Sequence, residues 1–193
     1  MFAAFDQAIV RCPTGRRELM KNLKVAIVSM AFACLLYPPV VSAQSEGECT
    51  NPAVPRTTPS SDFELTGNGT IVHHLVTGLE WQRCMVGQGW DDGACTGFGV
   101  SMTWPEALQA AADAGDGWRL PHVNELRSII EDCRTMPAIN RDVFPGPQGF
   151  QQWSASPFAG HPLRAWSVHL GSGDDNRPTR DSTVRFRLVR DKE

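Results

Sequence analysis

Near its end the chain carries Trp166, His169, Asp174, Asp175, Asn176, Arg177 and Arg180, so an indole, an imidazole, two carboxylates, an amide and two guanidinium groups fall close together. These are recognition groups. A guanidinium grips sulfate or carboxylate through two parallel hydrogen bonds, and Trp and Arg are the residue types that anchor interfaces. The neighbouring acids oppose a purely anionic ligand, and Trp166 fits a core as well as a binding face. A nucleophilic alternative would use Ser154 or Ser156 with His161 or His169 as base. No nucleophile-elbow spacing accompanies them, and no catalytic residue is assigned.

Metal chemistry has weaker pointers. His73 and His74 are adjacent, so on a strand their rings face opposite sides and cannot chelate one ion together. Asp91-Asp92-Gly93 hints at calcium, yet the segment lacks the alternating oxygen ligands and closing Glu of an EF-hand loop, so a solvated turn is expected. The cysteines show no CxxC and the histidines no HxxxH spacing, which argues against a zinc site. No metal and no cofactor is expected.

Cysteine chemistry depends on where the chain goes. Met20 to Lys24 form a basic segment, 25–41 is an apolar run, and Val41-Ser42-Ala43 before Gln44 is a small-residue cleavage site. Residues 1–43 therefore read as a secretory leader with an upstream extension, the natural start being Met20. The apolar run is short for a retained span, and Pro38-Pro39 would break its end. The expected location is secreted, periplasmic or cell-surface. Cys12 and Cys34 leave with the leader, and Cys49, Cys84, Cys95 and Cys133 remain, an even number in an oxidising compartment. Three pairings are open. Cys84–Cys95, which closes a local loop, and Cys49–Cys133, which ties an N-terminal arm to a helix end, are favoured.

The whole chain has 18 Lys+Arg and 21 Asp+Glu; five and two of these precede Gln44, so the remainder holds 13 against 19 and a net charge of −6. With no basic stripe to offset that balance, nucleic acid is disfavoured as a partner.

Residues 44–61 are rich in Pro, Ser and Thr and read as an extended arm anchored only by Cys49; 62–193 form the domain. Its first strands are predicted around Phe63 to Leu65, Thr70 to His74 and Leu79 to Arg83, separated by glycine turns. A glycine-rich loop fills 84–102. Thr103-Trp104-Pro105-Glu106 is a capping box opening a helix to about Ala114. In Gly117-Trp118-Arg119-Leu120-Pro121 a short buried strand meets a second helix, whose apolar stripe runs through Val123, Leu126, Ile129, Ile130 and Cys133, with Glu131 on the wet side. Strands are expected at 151–156 and 164–169, then a polar turn from Gly171 to Ser182. Thr183 to Arg190 alternates as one half-buried strand, with Arg185 and Arg187 on its solvated face.

An ordered set of short motifs adds a family resemblance: TGLEW at 77–81, TWPEAL at 103–108, GWRLP at 117–121 with Glu125-Leu126, AIN at 138–140, Phe144-Pro145, WSASP at 153–157, Ala165-Trp166 and VRFRLVR at 184–190. The chain resembles the Lcl C-terminal domain family, the C-terminal domain of a collagen-like adhesin, over roughly residues 62–190. The resemblance implies an α+β, C-type-lectin-like fold: a mixed, mostly antiparallel sheet with two flanking helices and long loops, its N- and C-terminal strands paired. It also implies ligand contact through the late loops, here 166–183; in adhesin members that surface is linked to host glycans such as sulfated glycosaminoglycans. No collagen-like Gly-x-y repeat is present, which removes the adhesin's route to trimers and leaves the oligomeric state open. Formylglycine-generating enzymes share the fold and an Arg-Leu-Pro-x-x-x-Glu stretch, but their catalytic cysteines are not matched by position.

The expected function is an exported, non-catalytic binding module for a glycan or extracellular protein, with no retained membrane span. The alternatives are an envelope enzyme on the formylglycine-generating fold or a structural subunit of a surface assembly.

Overall fold

The computed structural model describes residues 49–146 and 149–192. The expected leader, with Cys12 and Cys34, lies outside the described residues.

The strands in chain order are β1 (Phe63–Thr66), β2 (Ile71–His74), β3 (Leu79–Gln82), β4 (Gly89–Asp91), β5 (Ala94–Thr96), β6 (Ser101–Met102), β7 (Gln151–Pro157), β8 (Ala165–His169), β9 (Asp175–Asn176), β10 (Val184–Arg185) and β11 (Val189–Asp191). Two helices, α1 (Trp104–Asp113) and α2 (Val123–Arg127), lie between β6 and β7. The domain is α+β. A four-stranded sheet runs β1-β2-β3-β11, a five-stranded sheet β6-β10-β7-β8-β9, and β4-β5 is a separate hairpin. All pairings are antiparallel except β10 with β7.

The first three strands form where the glycine-bounded segments predict them. Gly67, Asn68 and Gly69 all take positive φ between β1 and β2, a conformation that glycine adopts without a Cβ penalty. In β3 the apolar and polar faces separate: Leu79 and Trp81 are buried while Glu80 and Gln82 are half-buried. The Asp92-Gly93 turn joins β4 and β5, with φ of 40° and 87°. At α1, Glu106 Oε2 accepts the Thr103 N–H at 2.9 Å and the Thr103 hydroxyl at 2.7 Å, closing the predicted cap.

Two apolar clusters fill the interior. One gathers Val72, Trp81, Leu126, Ile129, Phe144 and Val168; the other packs Ala107 and Ala111 of α1 against Leu120, Trp153, Phe186 and Leu188. Each fully buried large side chain contributes about 1.5–3 kcal/mol relative to exposure. Both favoured disulfides, Cys49–Cys133 and Cys84–Cys95, are present.

Several expectations need correction. The last strand is not continuous: β10 belongs to the five-stranded sheet and β11 to the four-stranded one. Between them Phe186 O accepts the Val86 N–H and Leu188 O accepts the Gln82 N–H. The segment thus runs between the two clusters and is covered on both sides, so Arg187 is fully buried, not solvated. Its guanidinium sits 4.5 Å from the Phe144 ring, and Nη1 donates to the carbonyls of Gln82 and Arg83. Burial lowers its pKa.

Helix α2 stops at Arg127. The Ser128 hydroxyl donates back to Glu125 O, and Ile130 then bridges to Ile139. Ile129, Ile130 and Cys133 are buried as the stripe requires, but from extended and turning backbone. Glu131, expected on the wet side, is fully buried.

Its carboxylate is what holds the arm. Oε1 accepts the Thr57 N–H at 2.8 Å and Oε2 the Thr58 N–H at 3.1 Å, with both threonine hydroxyls alongside. The arm is therefore tied by more than Cys49. The short strand expected before Pro121 is also reduced to a single bridge, Arg119 to Val189.

Candidate functional site

Strand β8 sits between β7 and β9 and lifts Trp166 toward the end of the five-stranded sheet, where the 158–164 loop meets the 177–182 turn. Phe158 meets the Trp166 ring edge-on, centroids 5.4 Å apart at 88°. Arg177 lies over both rings, 4.3 Å from Trp166 and 5.2 Å from Phe158. The loop and turn are bonded through their backbones: Arg164 and Thr179 form a bridge, and the Arg180 N–H donates to Leu163 O at 2.8 Å. Arg164 Nη1 reaches Arg177 O at 2.7 Å.

Arg180 faces another platform. Its guanidinium stands 4.4 Å from the Trp104 ring, and Nε donates to Arg164 O. The Trp104 indole N–H donates in turn to Ser154 O at 2.8 Å, which fixes the ring against β7. Beside it a cleft of about 400 Å³ is lined by Thr103, Pro105, Leu163, Thr179, Arg180 and Asp181.

The predicted residues do not form one constellation. Trp166 and Arg177 come together, with Arg180 next to them on a separate ring. Asp175 and Asn176 are held in β9, and Asp175 is paired with Arg127 through Nε at 2.9 Å and through Nη2. His169, three residues from Trp166 on a strand, faces the other side and lines a different cleft with Phe150, Gln151 and Arg185. The His169 N–H donates to Asp174 O, and the Ser172 N–H donates to its Nδ1.

Asp175 is therefore not free to oppose an anion, because Arg127 already pairs with it. Arg164, Arg177 and Arg180 have no carboxylate partner within salt-bridge distance among the described residues. Three cations close together, two of them stacked on aromatic rings, can present N–H forks to sulfate or carboxylate.

Phe158, Arg164, Trp104 and Arg127 were missed as members of this neighbourhood. Trp104 carried a helix-core signal, and Arg127 lay on a solvent face 48 residues from Asp175. Only the sheet brings them in.

The nucleophile candidates have other partners. Ser154 is fully buried, its hydroxyl accepting the Ser156 N–H at 3.1 Å, and the Ser156 hydroxyl accepts the Val123 N–H at 3.1 Å. The His161 Nδ1 accepts the Leu163 N–H. Arg119 and Glu125 of the Arg-Leu-Pro-x-x-x-Glu stretch form a two-pronged ion pair, both contacts at 2.7 Å, and Glu125 Oε2 also accepts the His122 N–H. Burial raises the Glu125 pKa, but these contacts outweigh it and hold the carboxyl below its usual range. That pair clamps the entry of α2.

Among the described residues no group of three or more His, Cys, Asp or Glu could hold a metal ion, and no helix is long and apolar enough to cross a membrane. The family model for the Lcl C-terminal domain matches residues 70–190, well over half of the chain. A search of curated proteins finds no match.

Proposed function

We propose, from the premise that this chain belongs to the Lcl C-terminal domain family, that it is an exported, non-catalytic binding module recognising an anionic group on a glycan or extracellular protein through its late loops. The adhesin-like family and the two disulfides fit an exported protein. In keeping with a C-type-lectin-like arrangement, the N-terminal hairpin and C-terminal strand β11 share one sheet.

The observation that carries the reading is Arg177 stacked on Trp166 and Phe158, beside Arg164 and Arg180, with the nearest β9 acid already neutralised. Stacking fixes a guanidinium before the ligand arrives, so less side-chain freedom is lost on binding. Each charge-assisted contact contributes about 1.5–3 kcal/mol.

The test is a glycan array on the exported protein, followed by binding isotherms for the Arg177→Ala, Arg180→Ala double variant. Affinity for the best ligand should fall well over tenfold and should weaken with added salt. Removing two exposed stacking contacts costs the fold only about 1–2 kcal/mol, so the melt should shift modestly. Unchanged affinity on an intact fold would place recognition elsewhere.

A further inference from the structure

A second cleft, of about 500 Å³, lies between the disulfide-closed 84–102 loop and the C-terminal half of α1. We propose that it binds the face of a neutral pyranose, independently of the arginine-rich late loops. The two places are offset along α1: Pro105 lines the late-loop cleft, while Ala110 and the C-capping Ala114 line this one, about 8 and 14 Å farther on at 1.5 Å per helical residue.

Two indoles, Trp90 and Trp118, line the cleft, both half-buried. Each is fixed by a guanidinium. Arg83 stands 4.3 Å from the Trp90 ring while its nitrogens donate to the carbonyls of Val143, Asp142 and Gly69. Arg190 stands 4.6 Å from the Trp118 ring while its Nε donates to Glu80 at 2.8 Å. Both rings are thus held in place by groups that are themselves engaged, which is the preorganisation a weak stacking ligand needs.

The polar lining selects further. Gln88 is committed to the loop, its Oε1 accepting the Met85 N–H and its Nε2 donating to Gly97 O. The Gln82 amide has no hydrogen-bond partner among the described residues and lines the same cleft, as does Thr70, whose hydroxyl donates to Gly67 O and can still accept. None of the described lining residues carries an ionisable side chain apart from Cys84, which is disulfide-bonded.

A charged ligand would be desolvated there without a counter-charge, and a wholly apolar one would leave the Gln82 amide unsatisfied. A neutral sugar ring meets both conditions. Its C–H face lies on an indole, and its rim of hydroxyls reaches Gln82 and Thr70. The volume is within the range of small-molecule sites, about 300–1,000 Å³.

The test uses the exported protein with the methyl glycosides of glucose, galactose and N-acetylglucosamine at millimolar concentration, followed by saturation-transfer NMR and indole fluorescence. At least one should bind saturably, without sensitivity to salt. Gln82→Leu and Trp118→Ala should each lower its affinity tenfold or more, while Trp118→Phe, which keeps an aromatic platform, should lose less. The Arg177→Ala, Arg180→Ala variant should bind it as the parent does, which separates this site from the late-loop reading. Three results would overturn the inference: saturable binding by none of these glycosides, binding indifferent to Gln82→Leu on a folded protein, or competition by tetramethylammonium, which would mark a cation site.

Discussion

Glu131→Gln probes the least expected contact in the fold. The change keeps the side chain's volume and replaces one carboxylate oxygen by an NH₂ group. A nitrogen that cannot accept then faces the N–H of Thr57 or Thr58, which in the parent donate at 2.8 and 3.1 Å. Leaving one such donor unpaired costs about 1–3 kcal/mol, and converting the remaining bonds from charge-assisted to neutral costs roughly 1 kcal/mol more. The sum is about 3 kcal/mol, or roughly 9 °C in Tm for a domain of this size.

The same residue predicts a pH dependence. Burial raises the Glu131 pKa, but the N–H groups of Thr57, Thr58 and Cys133 outweigh it and hold the carboxyl below the ordinary 4.5. A depressed folded-state pKa means that the stabilisation is complete above the unfolded value and is lost as pH falls through the folded one. Urea denaturation with both disulfides intact, at neutral pH and in steps below pH 4.5, should show the variant's deficit at neutrality and its narrowing in acid. A deficit under about 1 kcal/mol, or one that does not narrow, would refute the claim that an ionised Glu131 holds the arm.

Other outcomes follow from the same contacts. Arg187→Ala should cost roughly 3 kcal/mol or more by chemical denaturation, since it opens a cavity under Phe144 and orphans two carbonyls; a near-neutral effect would mean that Arg187 is dispensable for packing. Alkylation without reduction should label none of Cys49, Cys84, Cys95 and Cys133. Replacing each pair by Ser should cost about 4.6 kcal/mol for the bridge spanning 84 residues and about 2.8 for the one spanning 11, on the loop-entropy account, and the reverse order would contradict it. Mass spectrometry of exported material should find an N-terminus near Gln44; intact residues 1–43 would refute the leader.

Local chemistry alone determined a good part of this protein. Period-two alternation located β3, glycine turns bounded β1 and β2, Thr103 and Glu106 located the start of α1, and the even count of four cysteines after the expected leader pointed to two bridges, because each of these signals is local or a matter of composition. The ordered motifs located the family for the same reason. Tertiary structure decided what periodicity cannot express. Ile129, Ile130 and Cys133 at helical spacing reported burial, yet the backbone there leaves the helix so that Glu131 can accept from the arm more than seventy residues away. Alternation through Thr183 to Arg190 reported two faces, but a segment crossing between two sheets has no wet face, and Arg187 is buried between cores. In the late loops the residue types were legible while their partnerships were not. Arg127 neutralises Asp175, Trp104 receives Arg180, and His169 points away, because strand β8 alternates and α1 packs where only the folded chain can place it.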